Sequence, residues 1–192
     1  MQHDFSPISD EDWPESASAL QGGFATALNV YRTMAHHPDL LNAWAPLRGH
    51  VVTAPALTPQ QSEIVILRTG HRLGSAYEWA HHIHRARKVG IDDIRIARIA
   101  GPLTGISGDD ATIARAVDEL FDQRRLTDDT HARLGDLVGP KGILDVMATV
   151  GFYSVLGFIV NSFDTPLDDD VAREMSEWPL SLGDDQDNGD QP

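Results

Sequence analysis

The sequence predicts an all-α fold. Helix start and stop signals recur through the middle of the 192-residue chain, whereas the alternating Val, Ile, Thr and Tyr runs that are typical of β-strands are nearly absent. The hydrophobic fraction of 41% and the charged fraction of 23% are close to those of ordinary globular proteins. We therefore expect a single helical domain with a sizeable apolar core.

The first predicted helices lie upstream of a loop. A helix over residues 17–35 is expected to end before Pro38, which can occupy the first turn of a second helix reaching about Leu47. The segment from His50 to Leu57 has prolines around it and is predicted as a loop. A strong helix start follows, because Thr58-Pro59-Gln60-Gln61 combines an N-cap, a proline at the first helical position and the glutamine of a capping box.

Two predicted helices then form a hairpin. The first continues to about His71, Gly70 and Gly74 bracket the turn, and the second runs from Ser75 to Gly90, which suits a left-handed C-cap. Further helical segments follow at residues 92–99, 109–124, 127–138 and 142–161. The last contains the longest apolar stretch, residues 146–160. At about 15 residues this stretch is too short for a confident membrane span, and it predicts a buried core helix.

The net charge of −14 is concentrated at the two ends of the chain. Residues 1–20 carry five acidic and no basic residues, residues 164–192 carry ten acidic residues and one arginine, and residues 21–163 sum to zero. We therefore expect an acidic N-terminal arm (1–16), a helical domain (17–163) and an acidic C-terminal tail (164–192) without a core pattern, frayed near residues 183–189. The neutral body offers no basic surface, so no nucleic-acid or membrane partner is expected.

The chain contains no cysteine. It therefore cannot form a disulfide, a thiolate metal site or a thiol nucleophile. No Ser-His-Asp order, phosphate loop or dinucleotide glycine motif is present. The N-terminus lacks the positive and apolar regions of a signal peptide, and we expect a cytoplasmic protein.

Glutamate and histidine mark a candidate acid/base site in the predicted hairpin. Residues 21–163 contain only three glutamates, and two of them, Glu63 and Glu78, lie in the hairpin. Ser75, Glu78 and His82 share one face of its second helix. His81 lies beside them, and Glu63 lies across the turn. A partly buried carboxylate beside an imidazole can supply a general acid and base near neutral pH.

Two other interpretations of these residues stay open. Glutamate–histidine pairs at helical spacing are common, so Glu78 could form an ordinary helix-surface pair with His82 or Arg85. Glu78-Trp79-Ala80-His81 is also a Glu-x-x-His element of the kind that di-iron bundles use, but the second such element is missing. A mononuclear metal site that combines Glu78 with His81 or His82 remains as the weaker metal alternative.

The hairpin sequence resembles the carboxymuconolactone decarboxylase family, within the superfamily of the alkylhydroperoxidase D-like proteins. The resemblance is carried by Glu63-Ile64-Val65-Ile66-Leu67-Arg68, Gly74-Ser75-Ala76-Tyr77-Glu78-Trp79-Ala80-His81-His82 and Ala86-Arg87-Lys88-Val89-Gly90. Residues 115–120, 149–153 and 161–163 are similar to long members of the family, so the resemblance covers about residues 57–168. It implies an alkylhydroperoxidase D-like helical bundle.

The resemblance distinguishes two kinds of chemistry. In the family's thiol peroxidases, a Cys-x-x-Cys pair and a following histidine fall on Ser75, Glu78 and His82 of this chain, and a relay glutamate falls on Glu63. Both redox sulfurs are missing here, which excludes disulfide-cycling peroxidase chemistry. The decarboxylase branch needs no thiol, metal or organic cofactor, so the resemblance implies none here.

For the decarboxylase branch, the resemblance implies a carbon–carbon lyase of aromatic-compound breakdown that moves protons at a carbon next to a lactone or enol. His82 is then the proton donor or acceptor, Glu78 and Glu63 tune and relay, and Tyr77 orients by hydrogen bonding. Four further residues are candidates for substrate binding: Arg68 and Arg72, through a carboxylate, and His81 and Trp79. The alternative roles are core packing for Tyr77 and Trp79 and surface ion pairs for the arginines.

We therefore expect a cofactor-free acid/base enzyme that decarboxylates, isomerises or hydrolyses a small carboxylated lactone or ring compound. Two alternatives differ from it: a stress-related family member without peroxidase chemistry, and a non-catalytic binding protein. The resemblance also implies a homo-oligomer, namely a trimer, hexamer or dimer.

Overall fold

The computed structural model describes residues 3–180, which contain helices and no β-strand. The all-α prediction is confirmed. Helix α4 lies at the centre, because it contacts α5, α6, α7 and α8. The bounds of these five helices are Pro59–Leu73 for α4, Ala76–Lys88 for α5, Asp93–Ala100 for α6, Gly108–Gln123 for α7 and Asp128–Ser162 for α8.

The α4–α5 hairpin has the start and turn that the sequence predicts. Thr58 Oγ1 accepts the Gln61 N–H at 3.2 Å, and Gln61 Oε1 accepts the Thr58 N–H at 2.9 Å, which completes the capping box. Helix α4 ends at Gly74, whose φ of 60° is left-handed, and Ser75 caps α5. Gly70 does not flank the turn as predicted but lies inside α4. A Cβ there would be 3.3 Å from Glu78 Cβ, so this glycine allows the two helices to approach closely.

The predicted single helix over residues 17–35 is wrong. A 3₁₀ turn at Glu15–Leu20 is followed by two short helices, α1 (Phe24–Ala27) and α2 (Asn29–Met34). Gly22 has a φ of +74°, and Leu28 is extended, and neither conformation continues an α-helix. The next helix, α3 (Pro38–Arg48), is found as predicted, whereas the predicted loop from His50 begins with a π-helical turn at Gly49–Thr53.

Helix α8 spans the last two predicted helices, with a break in the backbone between them. Gly139, with φ 70° and ψ 175°, breaks it just before Pro140, where the sequence predicts a gap between two helices. Within the described residues, α8 is the one helix long and apolar enough to span a membrane, and 56% of its most apolar window is buried inside the protein. We therefore interpret it as the predicted core helix.

One face of α8 is not covered. Leu144, Met147, Val155 and Phe158 are exposed large hydrophobic side chains on this helix. Their spacing of three, eight and three residues, with Gly151 between the second and third, places them along one stripe of the helix surface. Over 14 residues the stripe is about 21 Å long.

The acidic C-terminal segment packs on the body instead of lacking a core pattern. Helix α9 (Asp169–Glu177) lies against α5, and Thr165, Asp168 and Val171 are buried. The expectation that the chain has no core pattern from residue 164 is therefore wrong as far as residue 177. Acidic residues lie at the start of α9, where negative charge is favourable. The predicted fraying at residues 183–189 lies outside the described residues, and the predicted domain boundaries stay predictions.

A buried arginine ties three helices together. Arg68 of α4 donates through Nε and Nη2 to the two carboxylate oxygens of Asp118 on α7, at 2.8 and 2.6 Å. Its Nη1 donates to the carbonyl oxygens of Ile99 and Gly101, at the end of α6, both at 2.7 Å. Because two acceptors at the end of α6 and one carboxylate depend on the same guanidinium, Arg68 has a structural role.

We predict that Arg68→Met lowers the free energy of unfolding by about 3–5 kcal/mol, because it leaves the buried Asp118 carboxylate without its main counter-charge. The double variant Arg68→Met/Asp118→Leu should lose less, since no charge is then left buried alone. Urea unfolding at pH 7 measures both. Equal or greater loss in the double variant would contradict this role.

Candidate active site

Glu63 and His82 meet across the hairpin. His82 Nδ1 lies 2.6 Å from Glu63 Oε2, and the His82 side chain is only 2% exposed. On the other side of the ring, His82 Nε2 lies 3.7 Å from Glu78 Oε2. The structure therefore places the imidazole between two carboxyl groups, one on each ring nitrogen, and it brings together the three residues that the sequence analysis assigned to one candidate acid/base site.

Burial sets the protonation states of this group. It lowers the pKa of His82 below 6.5, although Glu63 acts in the opposite direction, so the imidazole is neutral at pH 7. Burial also raises the pKa of Glu78 to about 8, against the charge of Arg85, so this carboxyl group is mostly protonated at pH 7. Because the Glu63 carboxylate accepts, His82 carries its proton on Nδ1 and presents the Nε2 lone pair to the Glu78 acid.

A small cavity lies beside Glu78 and His82. Its volume is about 20 Å³, which is room for one water molecule. Glu78 Oε1 is buried and has no hydrogen-bond partner among the described residues. The cavity is lined by Leu28, Val30, Tyr31, Tyr77, Glu78, His81, His82, Arg85, Tyr153 and Leu156. This is therefore an apolar and aromatic site in which one buried acid is unsatisfied.

Asp168 holds the segment that covers the cavity. Its carboxylate accepts hydrogen bonds from Tyr77 Oη at 2.7 Å, from His81 Nε2 at 2.7 Å and from the backbone N–H of Asn29 at 2.8 Å. Burial disfavours the charged carboxylate, but these three hydrogen bonds outweigh it and lower the pKa of Asp168 below 3.8. We call these three hydrogen bonds of Asp168 the clamp. Because Asn29 begins α2, the clamp fixes Leu28 and Tyr31 over the cavity.

The structure does not bring every predicted site residue to the cavity. Tyr77 and His81 line it, but their polar atoms are engaged by Asp168. Arg68 is bound in the core, as described above. Arg72 pairs with Asp122 and lies 3.5 Å from Asp118, and it does not line the cavity.

Trp79 lines a different depression. It lies on the outer side of the hairpin with Gly70, His71 and Ala97, in a surface groove of about 390 Å³. Part of its side chain packs against the core. Of the four predicted substrate-binding residues, His81 alone lines the cavity beside Glu78 and His82.

Several residues of the site were not predicted as site residues from the sequence, where Arg85 was considered only as a surface partner of Glu78. Arg85 follows His82 by three positions on α5, and this helical spacing is the signal that places it on the same face. Tyr153 packs edge-on against the His82 ring, with centroids 4.9 Å apart. Tyr31 and Asp168 come from segments distant in sequence and carry no local signal.

For the metal alternative, the part of the chain that the structure describes contains no group of three or more histidine, aspartate or glutamate residues placed to hold a metal ion. Glu78 and His82 are close together, but the other ring nitrogen of His82 is occupied by Glu63.

A comparison with protein-family models matches part of the chain. Residues 38–119 match the model of the Carboxymuconolactone decarboxylase family. None of the curated proteins matches the sequence significantly. The predicted resemblance to that family is confirmed over the matched residues.

Three solved structures are similar over most of the chain. An alkylhydroperoxidase AhpD core, a peroxidase-related protein from Ralstonia eutropha JMP134, is 16% identical, with a TM-score of 0.70 over 88% of this chain and 96% of that one. A peroxidase-related protein from Silicibacter sp. TM1040 is 13% identical, with a TM-score of 0.68 over 86% and 88%. The debrominase Bmp8 in complex with 2,3,4-tribromopyrrole is 14% identical, with a TM-score of 0.68 over 92% and 98%. At these identities the likeness shows the alkylhydroperoxidase D-like fold.

We predict that Asp168→Asn lowers the free energy of unfolding by about 1–3 kcal/mol at pH 7, because the charged acceptor of three hydrogen bonds is lost. The pKa of Asp168 is lowered in the folded state, so its stabilising effect is present above pH 3.8 and is lost as the pH falls through the folded value. Urea unfolding at pH 7 and pH 3 should therefore show a smaller difference between the variant and the wild type at pH 3.

The exposed Asp136→Asn is the matched control and should be neutral at both pH values. An equal loss for Asp168→Asn at pH 7 and pH 3 would contradict the clamp.

Proposed function

We propose that this chain, which has the alkylhydroperoxidase D-like fold and matches the carboxymuconolactone decarboxylase family over residues 38–119, is a cofactor-free acid/base enzyme. Its reaction is the decarboxylation, isomerisation or hydrolysis of a small carboxylated lactone or ring compound. Glu78 and His82 exchange the proton with the substrate, and Glu63 orients His82.

The observation that carries the proposal is the placement of the buried Glu78 carboxyl group 3.7 Å from His82 Nε2, while Glu63 holds the other ring nitrogen at 2.6 Å. Two neighbouring groups with pKa values shifted in opposite directions by burial supply a proton donor and a proton acceptor at the same pH. The Glu63 carboxylate stabilises an imidazolium that forms on His82. The unpartnered Oε1 of Glu78 is available to a ligand.

In a decarboxylation, these groups would act after the carbon–carbon bond breaks. Carbon dioxide leaves without the bonding electron pair, which enters the conjugated lactone as an enolate. Glu78 then protonates the carbon at the far end of the conjugated system. A proton from solvent returns to Glu78 through His82, which restores the starting state.

A substrate can enter only if the segment that covers the cavity, here called the cover, moves. A cavity of about 20 Å³ is far below the roughly 300 Å³ or more of an ordinary small-molecule site. The cover consists of Leu28 with Val30 and Tyr31, at the junction of the short helices α1 and α2. Short helices joined by an extended residue have few internal hydrogen bonds to break, so this segment is the part of the site suited to opening.

The second candidate is a stress-related family member without peroxidase turnover. Two of the similar structures are peroxidase-related proteins, but they share only the fold with this chain. Since the 192 residues include no cysteine, a peroxidase cycle that uses the protein's own thiols is excluded. The site described above favours the acid/base enzyme over this candidate.

We predict turnover of one or more members of a panel of carboxymuconolactones and related carboxylated lactones, followed by ultraviolet absorbance. His82→Ala and Glu78→Gln should each lower kcat by about 100-fold or more, as expected for loss of a general acid or base. For the wild type, kcat/KM should fall above pH 8, where Glu78 loses its proton, and also at acid pH, where His82 gains one.

The exposed His131→Ala and Glu177→Gln are matched controls and should leave turnover unchanged. Activity that survives a chelator supports the absence of a metal. Wild-type activity that His82→Ala retains, or a panel on which all proteins are inert, would contradict the proposal.

The expected homo-oligomer is also a proposal, and the exposed stripe on α8 supports it. Leu144 and Phe158, at its ends, are 66% and 58% exposed. A row of large apolar side chains on one helix face is the kind of surface that a second helix covers. The cytoplasmic location and the absence of nucleic-acid and membrane partners stay predictions.

We predict that the wild type sediments as a dimer or larger oligomer at micromolar concentration and that Leu144→Glu/Phe158→Glu shifts it to the monomer, because two charges would be buried at the contact. Sedimentation velocity measures the change. The control is Leu47→Glu, at an exposed leucine outside the stripe. A monomeric wild type, or a double variant with unchanged sedimentation, would contradict assembly through α8.

A further inference from the structure

Two partly buried arginines near the cavity have no carboxylate partner. Arg85 lines the cavity beside Glu78, and no ion pair or hydrogen bond of its side chain is found among the described residues. Arg48 lies over the Phe24 ring at 4.0 Å, and its Nε is buried without a hydrogen-bond partner. Both guanidinium groups act electrostatically on Tyr31, which lines the cavity. They therefore belong to one neighbourhood.

The lack of a carboxylate partner is unusual within this chain, although Arg48 has a side-chain hydrogen bond with Tyr31. Among the described residues, every other arginine that is not exposed pairs with an aspartate: Arg32 with Asp10, Arg68 with Asp118, Arg72 with Asp122, Arg87 with Asp93, and Arg95 with Asp110. Acidic residues are not scarce, since the chain has 29 of them against 15 basic residues. A partly buried cation without a counter-charge loses part of its hydration without compensation. A bound anion would supply that compensation.

We propose that Arg85, assisted by Arg48, forms an anion subsite that takes one carboxylate of a small carboxylated ring compound. The inference deepens the proposed function, on which it rests for the view that the occupant is the substrate. It also replaces Arg68 and Arg72, the sequence-predicted holders of a substrate carboxylate, because both are already paired with aspartates.

The chemistry of the lining favours a carboxylate with an apolar body. A guanidinium matches a carboxylate through two parallel hydrogen bonds. The protonated Glu78 can donate a third, whereas an ionised one would repel the anion. Apart from the two histidines, the remaining wall is aliphatic and aromatic, from Leu28 and Val30 on the cover to Tyr153 and Leu156 on α8, and it suits the apolar part of a ring.

The test is calorimetric titration at pH 7 with 5-oxotetrahydrofuran-2-carboxylate, benzoate and acetate, and with the methyl esters of the first two as neutral counterparts. The wild type should bind at least one carboxylate, at least about tenfold more tightly than its ester. Arg85→Gln should weaken that carboxylate by about 10- to 100-fold and leave the ester unchanged, as expected for loss of a charged hydrogen-bond pair. Arg85→Lys should weaken it less, because it keeps the charge.

The control is Arg98→Gln, which removes an exposed arginine on α6 that does not line the cavity. It should bind the carboxylates as the wild type does. Thermal unfolding of each variant verifies that it is folded. The inference is overturned if the wild type binds none of the three carboxylates, if it binds ester and acid equally, or if Arg85→Gln binds like the wild type. Tighter binding of inorganic phosphate than of every carboxylate would also overturn the assignment of the anion.

The same variants separate this inference from the proposed function. His82→Ala should keep carboxylate binding while it loses turnover, because His82 does not hold the anion. If the wild type binds a carboxylate through Arg85 but turns over no substrate, the proposed enzyme activity is contradicted and the anion subsite still stands. If Arg85→Gln turns over the substrate with an unchanged KM, the anion subsite is contradicted and the proposed enzyme activity still stands.

Discussion

The hydrogen bond between Glu63 and His82 is the interaction on which the site depends. It joins the two helices of the hairpin at 2.6 Å, between the buried His82 and a Glu63 side chain that is only 12% exposed. It also fixes which ring nitrogen of His82 carries the proton, and the free lone pair therefore faces Glu78. Gly70 supports this arrangement, because its missing side chain lets α5 approach α4 at Glu78. Packing and protonation are thus set by the same contact.

The buried polar groups of this chain divide into those that are satisfied and those that are not. Arg68, Asp118 and Asp168 have close partners on several elements and hold the helices and the cover in place. Glu78 Oε1, Arg48 Nε and Trp44 Nε1 have no such partners, and the partly buried Arg85 has no counter-charge among residues 3–180. Unsatisfied groups in an otherwise well-paired interior are costly to folding. Glu78 and Arg85 line the same cavity, and this placement supports the proposed binding site.

Local signals predicted the hairpin and its three central residues well. The capping box at Thr58 and the glycine at 74 depend only on neighbouring residues, and the spacing of Glu78 and His82 follows from helix geometry. The prediction failed where contacts span the whole chain. Asp168 looks like one more charge in an acidic tail, yet its partners are at positions 29, 77 and 81. Arg68 and Arg72 were assigned to a substrate carboxylate. Their ion pairs could not be predicted, because the aspartates that they bind lie 50 positions away in the sequence.

The closed cavity has a consequence for measured affinities. A ligand that binds only when the cover has moved sees just the open fraction of the protein, and its apparent dissociation constant is the intrinsic one divided by that fraction. With about one molecule in a hundred open, the apparent affinity is about a hundredfold weaker than the contacts alone would give. Changes in Asp168 or at the α1–α2 junction would then tighten binding without touching the ligand. In such a protein, affinity is governed by how firmly the resting state is held.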